Sequence, residues 1–151
     1  MRAAAIIVSG GSGSRMGRPK QFLPLAGLSV AEWSLRCFVD MPEVESVILV
    51  LGEEDLRDHG NRLAHGKVVV VPAGQTRMGS VRNGFAALPH GVEVVAVHDG
   101  ARSMITPEIV RATFAEAVKS IIAGGDVQHE LSRAADAIDE DIAKNGGYSP
   151  R

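Results

Sequence analysis

Cysteine is nearly absent: Cys37 is the only one among 151 residues. That excludes an internal disulfide framework and fits a reducing compartment. Charge of one sign is lacking as well. Sixteen Lys and Arg stand against 18 Asp and Glu, a net charge of −2. There is thus no basic surplus to serve as a footprint for general nucleic-acid binding. No apolar run approaches the 18 or so residues that a membrane span requires. The stretch Ala3 to Val8 is short and runs into Ser9-Gly10-Gly11 and then Arg15 without a cleavage-type site, so no secretory signal is expected. Repeats and low-complexity tracts are also missing. The expectation is a soluble, cytoplasmic protein that binds neither membrane nor nucleic acid.

What is present is ordinary globular composition, 45% hydrophobic and 23% charged. The length suits one domain, and a chain of this size buries roughly 68–70% of its unfolded surface. Four short β-branched runs read as strands buried on both faces: Ala3 to Val8, Val47 to Leu51, Val68 to Val71, and Val92 to Val97. Helical patterns alternate with them. Ser29 and Glu32 form a capping box ahead of Trp33, Leu35 and Phe38. Glu53 to Ala64 reads as a polar surface helix weakened by Gly60, and Val81 to Leu88 as a helix begun near Ser80. Thr106-Pro107 opens a fourth, with Val110, Phe114, Ala117, Val118 and Ile121 at helical spacing. Strands alternating with helices predict a layered α/β domain with a mostly parallel sheet. It is expected to span residues 1–122. Residues 123–151 are expected to be a tail with one acidic amphipathic helix at 126–144, where six acidic residues face two basic ones around Leu131, Ala134, Ala135, Ile138 and Ile142.

The most informative segment follows the first strand: Ser9-Gly10-Gly11-Ser12-Gly13-Ser14-Arg15-Met16-Gly17, then Pro19-Lys20-Gln21-Phe22. Glycines at the C-terminal end of a strand let backbone N–H groups approach an anion. The dinucleotide fingerprint fails because Met16 stands where its third glycine belongs. The P-loop fails because no Gly-Lys pair is followed by Ser or Thr. A glycine loop with the fixed cations Arg15 and Lys20 remains. That combination suits a triphosphate undergoing substitution at phosphorus, or is a glycine-rich turn that binds nothing.

Two further segments lie after later strands. In Val97-His98-Asp99-Gly100-Ala101-Arg102, Asp99 is placed either to hold Mg²⁺ on phosphate oxygens or to cap a turn. Arg102 can fork onto a second anion. His98 reads as a packing histidine rather than a catalytic one. In Ala73-Gly74-Gln75-Thr76-Arg77-Met78-Gly79-Ser80-Val81, Ser80 either caps a helix or offers its hydroxyl to a base or ribose.

Together these three segments resemble the cytidylyltransferases that act on 2-C-methyl-D-erythritol 4-phosphate. That family's pattern runs A-A-G-x-G-x-R-M-G with P-K-Q-F/Y-L, then G-G-x-x-R-x-x-S-V, then V-H-D-A-A-R-P. Here Ser9-Gly10 replaces Ala-Ala, Ala73 stands for the first Gly of the second motif, and Gly100 and Ser103 replace an Ala and the Pro of the third. The resemblance is expected over about residues 3 to 118. It implies a Rossmann-like three-layer nucleotidyltransferase fold and a homodimer. It implies CTP at Gly10, Gly11, Ser12, Gly13, Gly74, Gln75, Ser80 and Gly100, and Mg²⁺ on Asp99. Arg15 and Lys20 are implied as the catalytic cations, and Arg102 as a contact to methylerythritol phosphate. The family's later strands and substrate motifs are not found, so the acceptor half is expected to be missing, with the fold truncated on its C-terminal side. The competing readings are a nucleotidyltransferase for ribitol 5-phosphate or a sugar phosphate, and a nucleotide-binding module without turnover.

Overall fold

A computed structural model describes residues 2–11 and 20–122, with side chains up to 116. The chain divides into two compact units at Pro107 and Glu108. In the first, β1 (Ala3–Ser9), β4 (Val44–Leu51), β5 (Val68–Pro72) and β6 (Val94–Asp99) form one sheet. Their order is β5-β4-β1-β6 and every neighbouring pair is parallel. The continuous apolar runs explain this, since a central parallel strand has no polar face to offer. Ala3 to Ile7 and Val47 to Leu51 are fully buried.

The helices are α1 (Val30–Val39), α2 (Glu53–Leu63) and α3 (Arg77–Ala86), each linking successive strands of the sheet. On one face Ile6, Ile48 and Val50 pack with Ala87 and Leu88 at the end of α3. On the other, Phe38 of α1 meets His98, and the Ser34 hydroxyl donates to the Gly100 carbonyl at 3.1 Å. The capping box forms as the sequence predicts, with Glu32 N–H donating to Ser29 Oγ and the Glu32 carboxylate accepting from Ser29 N–H. Gly60 is buried where α2 crosses the sheet: a Cβ there would lie 3.1 Å from Leu56 Cδ1 and 3.9 Å from Val70 Cγ1.

The third helix corrects the sequence reading. It begins at Arg77, not near Ser80, and its N-cap is Thr76, whose side chain accepts from Gly79 N–H. Ser80 therefore sits in the helix rather than at its cap. Between β1 and α1 lies a two-stranded hairpin, β2 (Pro24–Leu25) and β3 (Leu28–Ser29), turned by Ala26 and Gly27 with φ of 47° and 88°. Positive φ at both turn residues is the primed geometry that suits a hairpin's twist. The fourth helix, α4, begins at Pro107 as predicted, at the boundary between the units, and runs to Ile122. The helix expected at 126–144 lies outside the described residues, as do Ser12, Gly13 and Arg15.

Candidate functional site

Strand order fixes where a ligand can sit. The connections from β1 to β4 and β5 run one way across the sheet; β6 then returns to the other side of β1. That reversal is a topological switch point, and crevices form there beyond the carboxyl ends of the strands. Gly10 and Gly11 leave β1 on one side of it, and Asp99 and Gly100 leave β6 on the other.

Gly10 is wedged. A Cβ on it would strike the Ala73 methyl, and would lie 3.7 Å from both Gly52 N and Ser80 Oγ. The ends of β1, β4 and β5 thus meet at this residue. Gly11 is the opposite case: exposed, with nothing among the described residues within 4 Å of an added Cβ. Lys20, where the described chain resumes, is exposed.

The segment after β5 folds back on α3. A Cβ on Gly74 would lie 2.6 Å from the Gly79 carbonyl carbon and 2.9 Å from Ser80 N, so only glycine fits. Ser80 is 3% exposed. Its hydroxyl accepts from Gly74 N–H at 3.1 Å and donates to the Thr76 carbonyl at 3.0 Å. It thereby fixes the loop that presents the exposed Gln75.

At the end of β6, Asp99 is half-buried, and its Oδ1 accepts from Ala101 N–H at 3.2 Å. Gly100 N–H donates to the Val8 carbonyl at 2.9 Å, tying the turn to β1. One Asp99 oxygen is thus a turn cap, and the second has no hydrogen bond among the described residues. No group of three or more metal-ligating side chains occurs among them. A single carboxylate is compatible with Mg²⁺, which takes one or two carboxylates and draws its other ligands from phosphates and water. Arg102 is exposed. His98 is 9% exposed, stacks obliquely on Phe38 and shares a hydrogen bond with the Arg102 carbonyl at 3.0 Å. Burial pushes its pKa below the usual value, only partly offset by that bond. The packing role read from the sequence agrees with this geometry.

Two residues escaped the sequence reading. Gln21 is 4% exposed. Its Nε2 lies 3.0 Å from the Ser9 carbonyl, 3.1 Å from the Gly11 carbonyl and 3.1 Å from Asp55 Oδ2. It thus brackets Gly10 from both sides. Ser9 is 3% exposed, and its hydroxyl is buried without a partner among the described residues. No helix among the described residues is long and apolar enough to cross a membrane.

Comparison with known proteins places this geometry. Residues 3–144 match the family described as 2-C-methyl-D-erythritol 4-phosphate cytidylyltransferase. The match runs past the limit near 118 expected from the motifs, which is a correction: similarity persists after the short motifs end. The protein of that name from Bacteroides fragilis is 36% identical over 96% of this chain and 69% of its own length. Its counterpart from Porphyromonas gingivalis is 44% identical over 73% of this chain and 51% of its own. Among solved structures, the 4-diphosphocytidyl-2C-methyl-D-erythritol synthase of Anaerococcus prevotii superposes with a TM-score of 0.63 at 28% identity, covering 79% of this chain and 50% of that one. Rv0371c of Mycobacterium tuberculosis in complex with manganese shares the fold at 20% identity, TM-score 0.58 and coverage of 76% and 59%. The chain spans about half the length of most of these relatives.

Proposed function

The chain belongs to the 2-C-methyl-D-erythritol 4-phosphate cytidylyltransferase family, and from that membership we propose that it transfers CMP from CTP to 2-C-methyl-D-erythritol 4-phosphate with release of pyrophosphate. The observation that carries the proposal is the meeting of Gly10, Gly74 and Gly100 at one end of the sheet, each held where a side chain would collide. A floor built of bare backbone suits a triphosphate and a sugar lying flat on it.

The proposed roles are those that the match to the family's motifs implies. CTP lies along Gly10, Gly11, Ser12 and Gly13, with Gly74, Gln75 and Ser80 shaping the pocket for the base and ribose and Gly100 opening the side toward β6. A substrate phosphate oxygen attacks the α-phosphorus, and the bond to the pyrophosphate oxygen breaks. Lys20 and Arg15 neutralise the charge that grows on the equatorial and leaving oxygens. Arg102 holds the phosphate of methylerythritol phosphate. Asp99 would hold Mg²⁺, which supplies charge neutralisation on the phosphates when bound. The compartment proposed is the cytoplasm, and the assembly a homodimer.

The test is pyrophosphate release by the 151-residue chain with CTP, Mg²⁺ and methylerythritol phosphate, and in parallel with ribitol 5-phosphate. Release that depends on the first acceptor but stays below the ordinary enzymatic scale of about 1 s⁻¹ is expected, because the family's later substrate motifs are not found in this chain. Faster turnover with ribitol 5-phosphate would reassign the acceptor. Release from neither overturns the proposal.

A further inference from the structure

Lys20 precedes two residues that α2 grips. Gln21, buried, reaches Asp55 Oδ2 at 3.1 Å while holding the carbonyls of Ser9 and Gly11. Phe22 lies flat on His59, with ring centroids 4.1 Å apart and planes 22° apart. Asp55 and His59 are four residues apart on α2, so one helix face carries both contacts. The backbone is tied on its other side. Leu23 N–H donates to the Lys20 carbonyl at 3.1 Å, closing a turn; Ala31 N–H donates to the Gln21 carbonyl at 2.8 Å, and Val30 N–H to the Leu23 carbonyl at 3.1 Å. The residues next to Lys20 are therefore fixed from the start of α1, from α2 and from the exit of β1, while its own side chain stays exposed.

The chemistry of these contacts is unusual for simple docking of a surface helix. A leucine at 21 would fill a buried position without desolvating an amide. Glutamine instead puts two N–H groups among three acceptors, two of which are the carbonyls flanking Gly10. It links the beginning of the glycine loop to its end.

We propose that Asp55 and His59 are positioning residues, which hold Gln21 and Phe22 and thereby set where the Lys20 ammonium stands relative to the phosphate-binding end of β1. The inference rests on the reading of Lys20 given above. It assigns to α2, a helix that contributes no group to the reacting atoms, control over the transition state.

The experiment compares His59→Ala with His59→Phe, and Asp55→Ala with Asp55→Asn, in the full chain. Phenylalanine keeps a ring to stack, and asparagine keeps an acceptor for Gln21. The readouts are kcat and KM for CTP, the melting temperature, and hydrogen exchange of the amides at 20–23. The alanine variants are expected to lower kcat by about 10-fold to 10²-fold, the scale of a misplaced catalytic group. KM for CTP should stay within about 2-fold, and exchange should quicken at 20–23. The Phe and Asn variants should retain most of the rate. Phe22→Leu, apolar but unable to stack, serves the same purpose if His59→Ala does not fold. Unchanged kcat, or equal losses in the alanine and conservative variants, overturns the proposal. If the unmodified chain releases no pyrophosphate, the reading of Lys20 fails by itself. Exchange then decides the clamp: faster exchange in the alanine variants upholds it and unchanged exchange overturns it.

Discussion

The hydroxyl of Ser9 fills the space that a Cβ on Gly100 would need. A methyl placed on Gly100 would collide with Ser9 Oγ, and would lie 3.1 Å from Ser9 Cβ and 3.2 Å from Ile7 Cγ2. In the family pattern given above both positions are alanine. Here an atom gained at 9 accompanies one lost at 100. Gly10 and Ala73 show the same exchange: an added Cβ on Gly10 would strike the Ala73 methyl, and the pattern has Ala at the first position and Gly at the second. At one pair a methyl changes sides, and at the other a methyl is exchanged for a hydroxyl across the contact.

Coupled stability is the consequence. Gly100→Ala is expected to cost about 1–3 kcal/mol through overpacking. Ser9→Ala alone should be neutral or mildly stabilising, because it removes a buried hydroxyl without a partner among the described residues. The double variant should recover most of the loss, with a coupling energy of about 0.5–3 kcal/mol. Urea midpoints of the four proteins in the cycle check this, and additive effects would contradict it.

Lys20→Ala should lose rate far more than it loses CTP affinity. Removing one preorganised donor aimed at developing charge typically costs on the order of 10²–10³ in kcat. Equal losses in kcat and in affinity would make Lys20 a ground-state phosphate clamp. Steady-state kinetics beside a direct CTP titration separate the two.

Nucleotide binding should be visible without turnover. CTP at about 100 times its dissociation constant stabilises a fold by about 2.7 kcal/mol. Thermal melts are expected to rise with CTP and rise further when Mg²⁺ is added. Asp99→Asn should keep the first increment and lose the second. A larger response to ATP than to CTP would discard the cytidylyl assignment.

Acid should act through the N-cap of α1. Glu32 accepts from Ser29 and from Arg62, and its side chain is 18% exposed against 55% for Arg62. The Arg62 guanidinium lowers its carboxyl to about 2 against the opposing effect of burial, with help from Ser29. A depressed folded pKa means that the unfolded chain binds the extra proton. The contribution is therefore complete above about pH 4.5 and lost as pH falls through about 2. With Arg62 largely in solvent, that contribution is at most about 1 kcal/mol. Glu32→Gln should flatten the acid limb of stability in that window, as read from denaturant midpoints against pH.

Legibility in the sequence followed burial geometry. β1, β4 and β5 were readable because a strand covered on both faces must be apolar throughout, and Ser29 with Glu32 because a capping box is local. The start of α3 was misplaced because Thr76 and Ser80 are both cap-forming residues four apart, and Gly79 and Gly84 weaken the helical signal. Gly84 is there for packing: a Cβ would lie 2.6 Å from Ile6 Cγ2. Gln21 stands in a motif, but its burial and partners leave no trace in the sequence, since a buried amide follows no period and those partners lie 12, 10 and 34 residues away. Asp55 and His59 looked like the polar face of a surface helix, which by composition they are. Gly10, Gly74 and Asp99 stand out as candidates because glycine and acid at strand ends are themselves the signal.

Placing β1 at the centre of the sheet has a consequence for how the chain acquires its shape. The first strand to be synthesised pairs at Ala3 with Val44 on one edge and with Val94 on the other. A nascent chain that has reached Leu51 can close only one of those edges. The second waits for a stretch nearly the whole described length away, and closures at such separation are slow. Gly100 comes against Ser9 and the Val8 carbonyl only once that pairing is made. The proposed site is therefore assembled in a single late step with β6, and any cellular factor that shields the open edge of β1 until then also sets when that site first forms.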